Sequence, residues 1–412
     1  MSQKGRFLLF FLIVFSLLFG GTLRIGVLSF RHICMLILVA YSIKNWSKVN
    51  FGLSGKLYLV YLGFYLFASF FNGELYSFTF LQSFFTYHLP CLSMIMALPL
   101  LIKTEKDIRT MTIVITVLYL FNAIVTVFQY NGSPIAWAIG NSISEMSEEH
   151  YEVAEKLINS GKGLLYNAVI TGITGFVVSN GYFCATYLPV VTKGLYGKFN
   201  KEWIWPVAVL VFSFITIFYI QQRTSFYLAI VYLVFFLIAR SKMSMTFFLI
   251  FLFVSYGIYG GIGESQDIGR LSLSENLENR VLLFDHFFAF LNSDIMFWGG
   301  LESYMKNFGM VQHNTLLASW VYGGFLSFLV YCVLYFLLFI NMAKKVLKNI
   351  KYSHLHVNSI AFGCAGVIYL LFSLSHSDGV HNGSVMFWLV YLLFVISCRI
   401  EEQIKTKEVV TN

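Results

Sequence analysis

"QHNTLLASWVYGG", residues 312–324, carries a polar pair, His313-Asn314, straight into an apolar run that continues to about Ile340. No acidic or basic residue interrupts that run. About 20 apolar residues suffice to cross the hydrocarbon core of a bilayer as a helix, so the stretch predicts the start of a membrane span. Asn314 is a good N-cap, and Thr315 can support it. Gly323-Gly324, inside the span, are read as residues that let another helix approach closely.

The rest of the chain repeats this pattern. Of its 412 residues, 58% are hydrophobic and only 12% charged, far too little charge for a soluble protein of this length. Apolar runs of roughly 17–25 residues alternate with short polar clusters. The expected fold is all-α: one integral membrane domain over residues 1–412. Twelve spans are predicted, at 7–23, 25–43, 55–71, 78–102, 108–130, 170–192, 203–220, 224–239, 243–260, 315–341, 357–375 and 384–398. Phe7–Gly20, behind Lys4 and Arg6, could pass for a signal peptide. It lacks an A-x-A-like site and many spans follow, so it is read as a retained first span. The 44 Phe and 25 Tyr suit lipid-facing surfaces and interfacial belts.

Lys and Arg set the orientation. With the N-terminus inside, every cytoplasmic stretch is basic, and both termini are cytoplasmic. Only eight of the 28 basic residues then fall outside: Arg24, Arg31, Lys156, Lys162, Arg223, Arg270, Arg280 and Lys306. Five of these are Arg, whose planar fork grips phosphate or carboxylate. Pairing with acidic residues of the outer loops is the plainer account of any one of them. Two outer loops are long, 131–169 and 261–314. The first is acidic and is expected to carry an amphipathic helix near Ser147–Ile158. The second contains Leu277–Leu291, whose apolar spacing suggests a helix lying on the membrane surface. Long loops in compact proteins usually carry function, so the outer face is the expected working face.

His313 stands at the threshold of the tenth span. The positive end of the helix dipole disfavours imidazolium there and attracts anions. A neutral base beside a phosphate group fits; so does a histidine that merely wets a helix end. Arg223 lies in "QQRTS", a tight outer hairpin, where snorkelling to headgroups is equally reasonable. Arg280, in "ENRVLLFDHFF", has Glu278 and Asp285 as local partners. Arg24 and Arg31 lie at and within the outer end of the second span, and an intramembrane Arg is a functional candidate by default. In "HSDGVHNG", residues 376–383, His376, Asp378 and His381 could bind metal or relay protons; a loop of polar turn residues explains them as well. The six cysteines fall in apolar runs with no C-x-x-C spacing and read as small packing residues. No phosphate-binding glycine loop or metal-ligand spacing occurs, so no cofactor or metal is expected, and nothing points to nucleic acid. A transporter built of two six-span halves would place its long loop inside and centrally; here the long loops are outside and no repeat is visible.

Three stretches in order, "QQRTS", "NRVLLFDHFFAFLNSDIMFWGGLESY" and "QHNTLLASWVYGGFLSFLVYCVL", resemble the O-antigen polymerase and ligase superfamily. The resemblance covers about residues 215–340. It rests on a polar-flanked Arg at a hairpin, then a large outer loop with an Arg, aromatic residues and a glycine turn (Gly299-Gly300). An H-N-x-x-L motif with a downstream glycine closes it: His313, Asn314, Leu317 and Gly323. Two large outer loops look like the polymerase branch. The resemblance implies a metal-independent glycosyltransferase on the outer face of the bacterial inner membrane. Its substrates would be undecaprenyl-diphosphate-linked oligosaccharides. Arg223 and Arg280 would clamp the diphosphate, and His313 would deprotonate or orient the acceptor hydroxyl. Arg24, Arg31, Arg270 and Asn314 complete the candidate substrate-binding set. The partners so implied are the lipid-linked saccharide, the bilayer and, as an open question, a polysaccharide chain-length regulator. The alternatives are the ligase, which transfers the polymer to lipid A–core, and a transporter or flippase of lipid-linked sugars. One departure stands out: the first outer loop offers only Lys156 and Lys162 among five glutamates, where polymerases often carry arginine.

Overall fold

A computed structural model of the protein describes residues 3–20, 23–25, 28–144, 170–196, 204–220, 222–241, 274–309, 314–350, 355–376 and 379–411. These form fourteen helices: α1 (Gln3–Phe19), α2 (Phe30–Lys44), α3 (Gly52–Phe71), α4 (Phe78–Leu101), α5 (Glu105–Tyr130), α6 (Pro134–Ile143), α7 (Val177–Val191), α8 (Ile204–Ile220), α9 (Arg223–Ser241), α10 (Ser274–Leu291), α11 (Leu301–Phe308), α12 (Thr315–Asn349), α13 (Val357–Ser373) and α14 (Val385–Thr411). A π-turn at Phe84–His88 interrupts α4. The only strands among the described residues are two short ones, β1 (Arg24–Ile25) and β2 (Leu28–Ser29), which pair with Arg24 opposite Ser29.

Four of these helices, α3, α4, α5 and α12, are long and apolar enough to cross a membrane, which suggests a multi-pass membrane protein. The centre is α13, which packs on α7, α12 and α14, while α12 also runs along α3. Apolar side chains of all these helices merge into one core.

Several expected boundaries move, each for a local reason. The second span was expected from residue 25. The β1–β2 hairpin occupies that stretch, and α2 begins only at Phe30, behind Ser29, whose hydroxyl accepts from the His32 N–H. The fifth begins at Glu105 because Thr104 and Asp107 form a reciprocal capping box. The 131–169 stretch is not all loop. Ser133-Pro134 starts α6, the cap-then-proline pattern that favours a helix start. The helix expected near Ser147–Ile158 lies outside the described residues, as does the span expected at 243–260.

The largest departure is at 170–192, read as one span. Helix α7 begins only at Val177. Before it, Ile170–Ile173 is buried, irregular backbone. Three α5 positions on one helical face, Asn122, Thr126 and Gln129, satisfy this segment. The Gly172 N–H donates to Gln129 Oε1 (2.8 Å), and the Ile173 N–H donates to Asn122 Oδ1 (2.9 Å). Asn122 also donates to Asn180 Oδ1 (2.7 Å), and Asn180 to Thr126 Oγ1 (3.1 Å). Non-helical backbone at membrane depth persists only where protein supplies its hydrogen bonds, and these amides do so. Their i, i+4, i+7 spacing was legible in the sequence; their partner was not.

The two ends of the bundle differ. At one end Arg6 pairs with Asp107 (2.6 Å), Arg399 donates to the Ile102 carbonyl, and Lys345 pairs with Glu402 (2.6 Å). His356 and Ser359 both bond Glu401 there. This is called the basic end below. The opposite end gathers the end of α3, the starts of α9 and α12, and the 374–383 turn.

Candidate functional site

At the opposite end, the start of α12 is built as its sequence predicts. Asn314 Oδ1 accepts from the Leu316 and Leu317 N–H groups (2.9 and 3.2 Å), so it is the N-cap. Its Nδ2 turns the other way and donates to the Leu374 carbonyl (3.0 Å). That contact ties the helix start to the turn after α13. The same turn holds the α9 start. Ser375 Oγ donates to Thr224 Oγ1 (3.3 Å), and Gln222 Nε2 lies 3.3 Å from His376 Nε2. Arg223, half-buried, is the first residue of α9. Two of the segments expected to form the site, about ninety residues apart, therefore meet on Leu374–His376.

The "HSDGVHNG" loop is a structural hub here and not a metal site. His381 is 1% exposed; its Nδ1 lies 2.7 Å from Thr315 Oγ1, which also lies 2.8 Å from the Tyr331 hydroxyl. Tyr61 donates its hydroxyl proton to the His381 carbonyl (2.7 Å). Among the described residues, no three His, Cys, Asp or Glu side chains are placed to hold a metal ion. Two buried polar atoms have no protein partner: His381 Nε2 and Gln222 Oε1. Buried polar atoms are nearly always paired, so these two invite a ligand or water.

The long second loop folds onto α12. Its helix α10 was expected, with Arg280 within it. Phe287 and Phe290 pack with Tyr304 and Val321, while Leu282, Phe284 and Phe288 remain exposed on the other side. The side chain of Arg280 lies outside the described residues, as do Arg270 and His313. Arg24 is in β1, its side chain also outside them. Arg31 is placed in the first turn of α2 and not deep in an apolar run. Its Nε donates to the Leu17 carbonyl (2.9 Å) and Nη2 to the Leu18 carbonyl (3.3 Å). It therefore caps the C-terminal end of α1, where a cation also suits the dipole.

The two glycine pairs interlock. Gly299 and Gly300 have positive φ (68° and 122°), and Gly324 breaks α12 at φ 73°, ψ −179°. In an unbroken helix the Phe325 N–H would donate to the Val321 carbonyl. Instead Phe325 donates to the Phe297 carbonyl (3.0 Å), and Val321 accepts from Gly300 (2.8 Å). One intrahelical bond is exchanged for two bonds to the turn. Gly323 alone fits the expectation of a close-contact residue: a Cβ there would meet the Tyr65 ring of α3 at 3.0 Å. Glu74, just beyond α3, accepts from the Glu302 N–H at the start of α11 (2.6 Å). Burial raises its carboxyl above the usual range, and the backbone N–H groups of α11 oppose that.

Burial, with a smaller contribution from His88, pushes His381 down to about 3. Its folded value lies below the unfolded one near 6.5, so the neutral form supports the fold. That support is complete above about pH 6.5 and declines as pH falls toward 3, by roughly 1.4 kcal/mol per pH unit. Thermal midpoints of the detergent-solubilised protein should fall across this window. His381→Gln, which removes the titration, should give a flatter profile; an equal slope in both would refute the assignment.

No family model matches the chain, and no curated protein matches it.

Proposed function

We propose that the chain is a surface-polysaccharide polymerase of the O-antigen type in the bacterial inner membrane. It joins undecaprenyl-diphosphate-linked repeat units at the end of the bundle where α9 and α12 begin, taken as the periplasmic end. The basic end is then cytoplasmic, and the chain crosses the membrane twelve times. The observation that carries this reading is the convergence of the Arg223 and Asn314 segments on the Leu374–His376 turn. The motif order in the sequence requires that meeting, and nothing local enforces it.

The acceptor hydroxyl attacks the anomeric carbon of the donor sugar. The bond from that carbon to the diphosphate oxygen breaks, and the diphosphate leaves with the electron pair. His313 takes the hydroxyl proton as general base. Arg223 and Arg280 bear the charge that develops on the leaving group, which then needs little acid help. The start of α9 adds its N–H groups to Arg223 in attracting phosphate. His381 Nε2 and Gln222 Oε1 are free to bond sugar hydroxyls.

The sugar ladder of a deletion strain tests the reaction. A polymerase leaves lipopolysaccharide capped with single repeats. Loss of every cap would instead indicate the ligase, and lipid-linked repeats stranded on the inner face a flippase.

A further inference from the structure

The basic end carries a cleft of about 460 Å³, far from the site above, between the start of α5, the end of α7 and the start of α13. Sites for small ligands commonly span about 300–1,000 Å³. Its mouth is polar, with Glu105, Arg109, Lys193 and Asn358; deeper along α5 its wall turns apolar, through Ile113 and Val117. Arg109, Ile113 and Val117 follow one another at four-residue spacing, so a single helical face grades from cation to hydrocarbon.

The charges are unbalanced. Two cations share the mouth with one carboxylate. Among the described residues neither Arg109 nor Lys193 takes part in an ion pair. The Lys193 ammonium instead donates to the neutral Asn358 Oδ1 (2.9 Å). Burial and the Arg109 charge push Lys193 down to about 8. An anion placed between the two would remove that strain on the charged form. The apolar wall is equally unfinished: Ile113 and Val117 are 45% and 43% exposed. A soluble anion would leave them bare.

We propose that this cleft binds an anionic glycerophospholipid, with its phosphate held by Arg109 and Lys193 and an acyl chain lying along Ile113 and Val117. Asn358 orients the lysine ammonium toward the headgroup. A basic pocket between helices with an apolar wall below it is the arrangement that anionic headgroups select. The site is independent of the reaction proposed for the opposite end.

The test uses the full chain purified in neutral detergent, with thermal midpoint and native mass spectrometry as readouts. Added phosphatidylglycerol should raise the midpoint and remain bound, one molecule per chain at this cleft. Phosphatidylcholine and inorganic phosphate should do neither. Lys193→Met and Arg109→Gln should each weaken phosphatidylglycerol about fivefold, and the double variant more than tenfold. Their midpoints without lipid should not fall, because one of two like charges has gone. Val117→Trp, which keeps both cations and fills the tail wall, should also weaken the lipid. Three results would overturn the proposal: equal protection by phosphatidylcholine, equal protection by inorganic phosphate alone, or undiminished phosphatidylglycerol binding in the double variant.

Discussion

His313→Ala and Arg223→Ala should each abolish long polymer while the protein still inserts and accumulates. Loss of a general base costs about 10²–10⁴-fold in rate, and loss of one donor to a developing oxyanion about 10²–10³-fold. A chain-extending enzyme slowed by even a hundredfold leaves only short products. The two variants also separate activity from folding. Arg223 opens α9, where a cation opposes the helix dipole. On that ground the alanine variant is favoured, by roughly 0.3–1 kcal/mol. A residue that disfavours its own helix yet is indispensable for activity would be acting on an anion. Arg280→Lys should fail as well if the contact is a two-pronged grip on phosphate, since lysine offers a point charge and not a fork. The measurement is the polymer ladder from cells carrying each variant, with membrane protein level as control. Full-length polymer from all three would end the proposed site.

Gly324→Ala should have the largest effect on the fold. Its φ of 73° with ψ of −179° is a conformation open to almost no residue but glycine. Such a placement costs a side-chain residue on the order of 1–3 kcal/mol by itself. A Cβ there would also sit 2.5 Å from the Phe297 carbonyl oxygen and 2.7 Å from the Trp298 carbonyl carbon. Both are backbone atoms that cannot swing aside. The 297–300 turn is held in turn by Trp298 stacked on Phe71 (4.5 Å) and by Trp320 Nε1 donating to the Met296 carbonyl (2.9 Å). Displacing it would unseat α10 and α11 from α12 together. Gly299→Ala should behave alike, because its Cβ would lie 2.6 Å from the Gly324 nitrogen. Gly323→Ala should be much milder. Its backbone is helical, and its contacts are the Tyr65 ring and the Ser327 side chain, which can shift. Size-exclusion profiles and thermal midpoints would rank the three; a Gly324→Ala protein as stable as Gly323→Ala would contradict this account of the break.

The reading of residues 312–324 shows where the sequence is sufficient. Hydropathy alone places the α12 span, since its apolar run is longer than a bilayer needs. Asn314 starts it, because a cap is a contact with the next three residues. Leu277–Leu291 reads as a helix for the same local reason, and so would α6 once Ser133-Pro134 is weighed as a cap and first turn. What the chain alone determined, then, is an all-α protein with spans long enough for a membrane and arginines that segregate from the lysines.

The rest depends on contacts between distant segments. No local rule says that Gly324 abandons its helix, because the bonds that repair the break come from residues 297–300. None says that Asn122 and Gln129 hold an irregular Ile170–Ile173, that Arg31 caps α1, or that His381 spends its Nδ1 on Thr315. Hydropathy reports how readily a segment leaves water; it is blind to which carbonyl a freed N–H will find. Only the tertiary structure decided those pairings, because a buried polar group is satisfied by whichever partner the packing of the whole bundle brings within reach.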